Sequence, residues 1–311
     1  MLETSSINSP PVLVGKSESM QRMLRLMQKA SANRYPILIL GEYGTGKGAV
    51  ARWIHANGPW RNAPFISLEC AALEPDVVSD LFYTTGKNTS HTKRRIPATF
   101  EGATLFWDEV AELSLQLQSR LARAIPDEEF RATDSTRPAF FDARFVASMS
   151  HDPFVAIREG KFSEDLFFRL NVVSITLPPL RARKADIPLL AEHILHEIFL
   201  ASGKASVRWR LSPDAINYLL LYEWPGNIRE LRNCLRGATT LSSGPVIKME
   251  DLPLVAGSLA LEEVKPLKAI EQKAIANALA KVRGDKKAAA MMLGIGRTTL
   301  YMKLQKYGLK T

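Results

Sequence analysis

The chain has 311 residues, a mass of 34.6 kDa and a net charge of +9, a size that suits two or three domains. Hydrophobic residues make up 46% and charged residues 23%, which excludes wholesale disorder, and two cysteines cannot supply the framework of a disulfide-rich secreted protein. The longest aliphatic stretch, Ile37–Leu40, is far shorter than the ~20 residues of a membrane-spanning helix. We therefore expect a cytoplasmic protein without membrane contact.

The first two thirds of the chain predict an α/β sheet. Residues 1–11 are polar and predict a loose leader, after which Met20 to Met27 carry apolar side chains at helical spacing. Short apolar runs typical of buried parallel strands then alternate with helical stretches such as Leu113–Ala124. The runs are Ile37–Leu40, Phe65–Leu68, Ala103–Trp107, Phe145–Ser148 and Val172–Leu177. Strands alternating with helices predict a sheet covered on both faces.

The strand pattern stops after Pro178-Pro179. Residues 186–241 show only helical patterns, broken at Ser212-Pro213 and Pro225-Gly226. Residues 242–266 contain Ser-Ser-Gly-Pro and Leu-Pro, which predict a linker.

A glycine-rich loop follows the first predicted strand. Its sequence has the spacing Gly-x4-Gly-Lys, and a helical run begins directly after it. The glycines let backbone N–H groups turn toward phosphate oxygens, and the lysine and the helix N-terminus add positive charge. The loop residues that we expect to hold a nucleotide are Gly41, Gly44, Thr45, Gly46, Lys47 and Gly48. Gly48 occupies the position where such loops commonly carry a Ser or Thr hydroxyl for Mg²⁺.

A second candidate element lies 61 residues after Lys47. The apolar run Ala103–Trp107 ends in Asp108-Glu109. An acidic pair at the end of a strand can place one carboxylate on Mg²⁺ while the other orients an attacking water. Together with the glycine-rich loop, the pair predicts a site for ATP and Mg²⁺.

The basic surplus is concentrated at the C-terminus. Residues 262–311 hold 11 Lys or Arg against 4 Asp or Glu, so most of the +9 lies there. The same segment has an apolar helical face over Leu267–Val282, an N-cap candidate at Asp285, and two short helices joined by Gly294-Ile295-Gly296. This pattern predicts a helix-turn-helix, with a core listed as Ala289, Leu293, Ile295, Leu300 and Leu304.

The last helix would enter the major groove of DNA with its N-terminal end. The side chains placed to read bases are Arg297, Thr298, Thr299 and Tyr301, while Lys303 and Lys306 suit phosphate contacts. The apolar face of the preceding helix predicts a dimer, and hence a palindromic site on double-stranded DNA.

Residues 12–255 resemble the AAA+ domain of bacterial sigma-54-dependent transcriptional activators. The resemblance rests on Gly41–Lys47, Cys70–Leu73, Ala103–Glu109, Asp165–Asn171, Leu177–Arg181 and Trp224–Leu231. Residues 288–304 resemble the Fis-type DNA-binding domain that ends many such activators. The resemblance implies an AAA+ P-loop parallel sheet with a helical lid, followed by an all-α helix-turn-helix domain.

The resemblance also assigns roles to individual residues. Lys47 would bind phosphate, Asp108 would hold Mg²⁺, and Glu109 would orient the attacking water. Arg229 would sense the γ-phosphate from the lid, and Arg169 would reach the nucleotide of a neighbouring subunit in an AAA+ ring. Val14-Gly15 would lie near the adenine.

Four positions depart from the family pattern. The sigma-contacting loop Gly-Ala-Phe-Thr-Gly-Ala is absent, and 87–92 read Lys-Asn-Thr-Ser-His-Thr. Glu69 replaces an asparagine that restrains the catalytic glutamate, Ser150 replaces a sensor asparagine, and Ser163 replaces the first of two interface arginines. Because the phosphate-binding parts are intact, the changes favour a protein that binds ATP and turns it over slowly.

We divide the chain into 1–11 as leader, 12–180 as the α/β nucleotide-binding subdomain, 181–241 as lid, 242–266 as linker and 267–311 as helix-turn-helix domain. No receiver or ligand-sensing domain is expected ahead of residue 12. The leading interpretation is a sequence-specific DNA-binding transcription regulator with weakened activator machinery, acting on RNA polymerase or another regulator. One alternative is an active ATPase that remodels the sigma-54 polymerase through an altered loop, and another is a DNA-linked AAA+ remodeller of some other partner.

Overall fold

The computed structural model describes residues 2–5, 11–73, 102–125, 143–201 and 208–253, and, near the C-terminus, residues 275, 282, 285–293, 295–296, 299–300 and 302–304. The chain divides into two compact units, Met1–Pro253 and Leu254–Thr311. The division falls within the stretch that the sequence predicts to be a linker.

A six-stranded sheet organises the described part of the first unit, in the order β1-β3-β4-β5-β2-β6. Its strands are β1 (Leu2–Ser5), β2 (Ile37–Leu40), β3 (Phe65–Glu69), β4 (Thr104–Asp108), β5 (Arg144–Met149) and β6 (Val173–Thr176). Strands β2 to β6 pair in parallel, so their carboxyl ends meet at one edge. The fold class predicted from the sequence is confirmed.

Helices cover both faces of this sheet. They are α1 (Glu18–Ser31), α2 (Lys47–Ala56), α3 (Leu115–Ala124), α4 (Pro153–Arg158) and α5 (Glu164–Leu170). Side chains alternate across β2: Leu38 belongs to the core cluster with α3 and α5, whereas Ile37 and Ile39 belong to the cluster with α1 and α2. The alternation explains why β2 is apolar throughout, since both of its faces are buried.

Short strands at the periphery escape sequence analysis. Leu2–Ser5 lies in the stretch expected to be a loose leader, yet it pairs antiparallel with β3. The expectation of helices alone in residues 186–241 is wrong, because β7 (Arg210–Leu211) pairs in parallel with β8 (Val246–Ile247). Two-residue strands are too short to show a periodicity, and edge pairing depends on backbone groups rather than side chains.

The lid is built from helices after a 3₁₀ segment at Leu180–Asp186. They are α6 (Ile187–Ala201), α7 (Pro213–Leu221) and α8 (Asn227–Leu241). Trp224 is fully buried between α7 and α8, its indole N–H donates to Leu219 O at 2.8 Å, and its ring packs edge-on against Tyr222. This packing fixes the turn that delivers the N-terminus of α8 to the glycine-rich loop.

The second unit has a small apolar core in its described residues. Helix α9 (Lys286–Met292) directly follows Asp285, whose carboxylate accepts from Ala288 N at 3.2 Å, as the sequence predicts for an N-cap. Residues 299–300 and 302–304 are helical. The predicted core is confirmed, since Ala289, Leu300 and Leu304 are buried and Leu293 and Ile295 pack against them.

Among the helices that the structure describes, no segment is both long enough and apolar enough to cross a bilayer.

Candidate nucleotide-binding site

The glycine-rich loop turns between the carboxyl end of β2 and the start of α2. Gly44 and Gly46 have φ of +78° and +102°, a region that favours glycine. Lys47 is the first residue of α2 and is only 6% exposed. Its ammonium group folds back over the loop and donates to Gly41 O at 2.8 Å and to Glu42 O at 3.3 Å. The loop therefore has the geometry that the sequence predicts for phosphate binding.

Asp108 and Glu109 follow β4 on the same edge of the sheet. Ser148, at the end of neighbouring β5, connects them: its hydroxyl donates to Asp108 Oδ1 at 2.5 Å and accepts from Glu109 N at 3.0 Å. Glu109 has φ +57° and ψ +59°, a left-handed conformation that is uncommon for a residue with a side chain. Serine 148 thus fixes the backbone at the acidic pair, a role that the sequence did not reveal.

The Glu109 carboxylate contacts Lys47 and Ser150. Glu109 Oε1 lies 2.9 Å from Lys47 Nζ and accepts from Ser150 Oγ at 2.6 Å, and Glu109 Oε2 accepts from Ser150 N at 2.9 Å. Lys47 Nζ also donates to Ser150 Oγ at 2.6 Å. Three side chains, from the residues directly after β4 and β5 and from the first residue of α2, therefore form one closed network.

Tyr43 borders this network from the tip of the loop. Its ring lies 5.2 Å from Lys47 Nζ and packs edge-on against His151, so it adds a cation–π contact to the lysine. Burial, followed by the negative charge of Glu109, raises the pKa of Tyr43. The shift further favours the protonated phenol, which can donate a hydrogen bond.

The cavity above the loop has a volume of about 840 Å³. The predicted site residues that line it are Val14, Gly44, Thr45, Gly46, Lys47, Gly48, Asp108, Glu109 and Arg229. Apolar side chains such as Leu13, Met23 and Ile194 also line it. A cavity of this size that combines a lysine with apolar side chains suits a nucleotide.

Three predicted site residues lie outside the cavity wall. Gly41 contributes only its carbonyl to Lys47. Gly15 lets the chain pass close to the lid, since a Cβ there would lie 2.7 Å from Met20 Cγ and 2.9 Å from Asp186 Oδ2. Arg169 does not line the cavity; its Nε donates to Asp165 at 2.9 Å, and its NH1 donates to Ile125 O at 3.3 Å.

The departures from the family pattern have distinct surroundings. Glu69 is exposed, lines the cavity and stands beside Asp108 in the register of β3 and β4. A Cβ at Gly48 would lie 3.7 Å from Phe106, an ordinary contact, so the hydroxyl is absent although there is room for it. Ser163 caps α5, where its hydroxyl accepts from Leu166 N at 3.4 Å.

The lid contacts the glycine-rich loop through the N-terminus of α8. Gly44 O accepts from Ile228 N at 2.9 Å and from Arg229 N at 3.3 Å. Asn227 is fully buried; it accepts from Leu180 N at 2.8 Å and donates to Tyr43 O at 3.0 Å. Position 229 is therefore fixed at the cavity by the backbone around it.

Sequence reasoning missed two buried charges of the 3₁₀ segment. Asp186 accepts from Lys16 N, Ser17 N and Ser17 Oγ at 2.7, 2.8 and 2.6 Å, and so ties the segment around Val14 to the lid. Arg183 lines the cavity, donates to Thr45 O at 3.4 Å and buries its Nε without a partner among the described residues. Burial lowers the pKa of Arg183, and the carboxylate of Asp186 opposes that shift. The spacing Arg-x-Arg after Pro178-Pro179 was the available signal, but it does not show burial.

The donor set suits Mg²⁺ shared with a ligand rather than a closed metal centre. No group of three or more His, Cys, Asp or Glu side chains converges on one point in the described ranges. Mg²⁺ commonly takes one or two carboxylates together with substrate phosphates and water, and Asp108 at the cavity offers a carboxylate oxygen of that kind. The residues present therefore fit the ion, which would neutralise phosphate charge when bound.

The residues predicted to contact DNA are only partly described. Thr299 and Lys303 are half-buried in the second unit. Arg297, Thr298, Tyr301 and Lys306 lie outside the described residues, as do residues 87–92.

Three family models match the chain in succession. Residues 13–176 match the sigma-54 interaction domain, residues 181–265 the AAA+ ATPase lid domain, and residues 266–307 the bacterial regulatory proteins of the Fis family. Together these models cover nearly all of the described residues.

Relatives and solved structures agree with these matches. The chain is 39% identical over 303 residues to the transcriptional regulatory protein ZraR of Escherichia coli K12, covering 94% of this chain and 68% of ZraR. It is 35% identical over 317 residues to the regulatory protein LuxO of Vibrio cholerae, covering 96% and 69%. The crystal structure of NtrX from Brucella abortus in complex with ATP superimposes with a TM-score of 0.67 at 29% identity, covering 96% and 70%. The fold, the loop geometry and these matches establish that the chain belongs to the sigma-54-dependent transcriptional activators, with an AAA+ domain, its lid and a Fis-type DNA-binding domain.

Proposed function

We propose that this protein is a sequence-specific DNA-binding transcription regulator whose AAA+ domain binds ATP with Mg²⁺. The observation that carries the nucleotide proposal is the convergence of Lys47, Asp108 and Arg229 on one cavity that apolar side chains also line. The ATP complex of NtrX, a structural neighbour at 29% identity, supports the same ligand. Asp108 would hold Mg²⁺, Lys47 would bind phosphate, and Val14 would contact the adenine.

Equilibrium binding of a fluorescent ATP analogue tests this proposal. Lys47→Ala should abolish binding, because it removes the one ammonium group on the loop side of the described cavity. Lys161→Ala is the matched control, since Lys161 is an exposed lysine paired with Glu159. Undiminished affinity of Lys47→Ala would show that the nucleotide does not use this loop.

The DNA proposal rests on the Fis-type family match and on the confirmed helix-turn-helix core. We expect two copies to bind a palindromic site whose two half-sites lie about one helical turn, ~34 Å, apart. In gel shifts with the full chain, Arg297→Ala should cost ~1–3 kcal/mol and relax preference at one base position. Lys306→Ala should weaken binding to all sequences alike and flatten the salt dependence by about one unit. No preference over a scrambled competitor would favour a remodeller of another partner.

Slow ATP turnover is the finer part of the proposal. An arginine that stabilises transferred charge contributes ~10³–10⁵ in rate, and Ser163 caps α5 where the family pattern has the first of two interface arginines. Ser150 occupies the position of the sensor asparagine, and its hydroxyl donates to Glu109. Purified protein should therefore hydrolyse ATP far more slowly than a relative that carries both arginines. Equal turnover would overturn this part.

The intact pair Asp108-Glu109 favours the second candidate, an active sigma-54-dependent ATPase. The sequence at 87–92 argues against it, because the apolar tip of the sigma-contacting loop is missing. In-vitro transcription with sigma-54 polymerase separates the two. We expect no ATP-dependent open complexes, and their formation would establish the second candidate.

Self-association completes the proposal. Arg169 lies on α5 away from the cavity of its own chain, so a role at a nucleotide requires the site of a neighbouring subunit. We propose a dimer through the C-terminal domain and a ring of AAA+ domains when ATP is bound. We expect a cytoplasmic protein, because the proposed DNA target lies there.

A further inference from the structure

Position 69 cannot restrain the catalytic glutamate in the way that the family resemblance implies. A carboxylate has no hydrogen to donate to another carboxylate at neutral pH. Glu69 stands beside Asp108 in the strand register, and its exposed side chain lines the cavity. Its negative charge disfavours the approach of Glu109.

Glu109 is nevertheless firmly held, by β5 and the loop. Ser150 donates from both its backbone N, at 2.9 Å, and its hydroxyl, at 2.6 Å, and Lys47 lies 2.9 Å away. The side chains of Lys47 and Glu109 are 6% and 15% exposed, so water screens this pair less than a surface pair. The restraint that position 69 has lost is supplied from position 150.

The ammonium group of Lys47 has no donor to spare. It has three hydrogens and four acceptors within reach: Gly41 O, Glu42 O, Ser150 Oγ and Glu109 Oε1. A phosphate oxygen that takes a place on Lys47 must displace one of them. Glu109 is an anion, so an incoming phosphate also repels it.

We infer that Ser150 is a positioning residue that latches Glu109 to Lys47 in the nucleotide-free protein, and that nucleotide binding must open this latch. The inference rests on the proposed ATP site and adds how its acidic residue is controlled. Binding then releases Glu109 toward the attacking water, so the group is withheld until phosphate is present. The latch also lowers affinity, because part of the binding free energy is used to break it.

Nucleotide affinity measures this competition. Ser150→Ala should tighten both ADP and ATP by roughly tenfold, about 1.4 kcal/mol, because it removes the hydroxyl shared by Lys47 and Glu109. Ser150→Thr keeps the hydroxyl and should bind within about twofold of the unmodified protein, given that a side-chain hydroxyl is what the latch requires. Ser119→Ala removes an exposed hydroxyl on α3 and should change nothing.

Two outcomes would overturn the inference. If Ser150→Ala weakens ATP and leaves ADP unchanged, the hydroxyl contacts the γ-phosphate directly and does not act through Glu109. Unchanged affinity for both nucleotides would show that no latch opposes binding.

A measurement without nucleotide keeps the inference separate from the proposed function. In urea unfolding of the nucleotide-free chain, Ser150→Ala and Glu109→Ala should be coupled, with the double variant losing less stability than the two single losses together. Additive losses would refute the latch. If the unmodified protein binds no ATP, the proposed function fails, and this cycle still decides whether Ser150 holds Glu109.

Discussion

Asp186 connects the lid to the segment that contains Val14. Removal of its carboxylate should therefore weaken both the fold and the nucleotide site. It is fully buried and accepts three hydrogen bonds of 2.6 to 2.8 Å from Lys16 and Ser17. A hydrogen bond to a charged group contributes ~1.5–3 kcal/mol. The sum is not simply additive, and the freed N–H of exposed Lys16 can bind water, so we expect Asp186→Ala to cost ~3 kcal/mol. Such a loss is a large part of the ~5–15 kcal/mol that stabilises a typical domain.

Urea unfolding and nucleotide titration together test this reasoning. Asp186→Asn keeps one oxygen for the two N–H groups and loses an acceptor for the Ser17 hydroxyl, so its cost should be ~1 kcal/mol. The control is Asp251→Ala, which removes a single contact to Lys248 N outside the cavity. Asp186→Ala should also weaken ATP binding, whereas Asp251→Ala should not. If the two alanine variants are equally stable and bind ATP equally well, the connection through Asp186 does not support the site.

Two further predictions concern the loop and a buried histidine. Gly44→Ala should lower the affinity for an ATP analogue at least tenfold, because its Cβ would lie 2.2 Å from Gly226 O. Gly160 is the control, since it also has a positive φ but a Cβ there would have nothing within 4 Å. Gly160→Ala should therefore cost only ~1 kcal/mol of stability. Equal nucleotide affinity in these two variants would refute the steric argument. Burial, followed by the positive charge of Arg144, lowers the pKa of His55, so the unfolded chain takes up a proton first as the pH falls below ~6.5. Stability in urea should therefore decline from pH 7.5 to 5.5 and decline less in His55→Gln; an unchanged decline in that variant would show that His55 is not responsible.

The sequence predicts those parts of the fold that depend on a short run of neighbouring residues. The parallel strands were found because burial on both faces makes them continuously apolar, and the glycine-rich loop because positive φ values require glycine. Contacts between distant residues left no comparable signal. Asp186 and Ser17 are 169 positions apart, and Arg183 and Thr45 are 138 apart. Their partners become evident only when the lid lies against the α/β subdomain.

Ser150 shows why a departure from a family pattern is not the same as a loss. The sequence alone identifies a missing amide at this position, where a serine hydroxyl, which both donates and accepts, takes its place. In the structure that hydroxyl lies 2.6 Å from both Lys47 Nζ and Glu109 Oε1. It accepts from the lysine and donates to the glutamate, so one short side chain connects the two charges. Positions 69 and 150 therefore differ in effect: the carboxylate at 69 has no hydrogen to donate to Glu109, whereas the hydroxyl and the backbone N–H of Ser150 both donate to it.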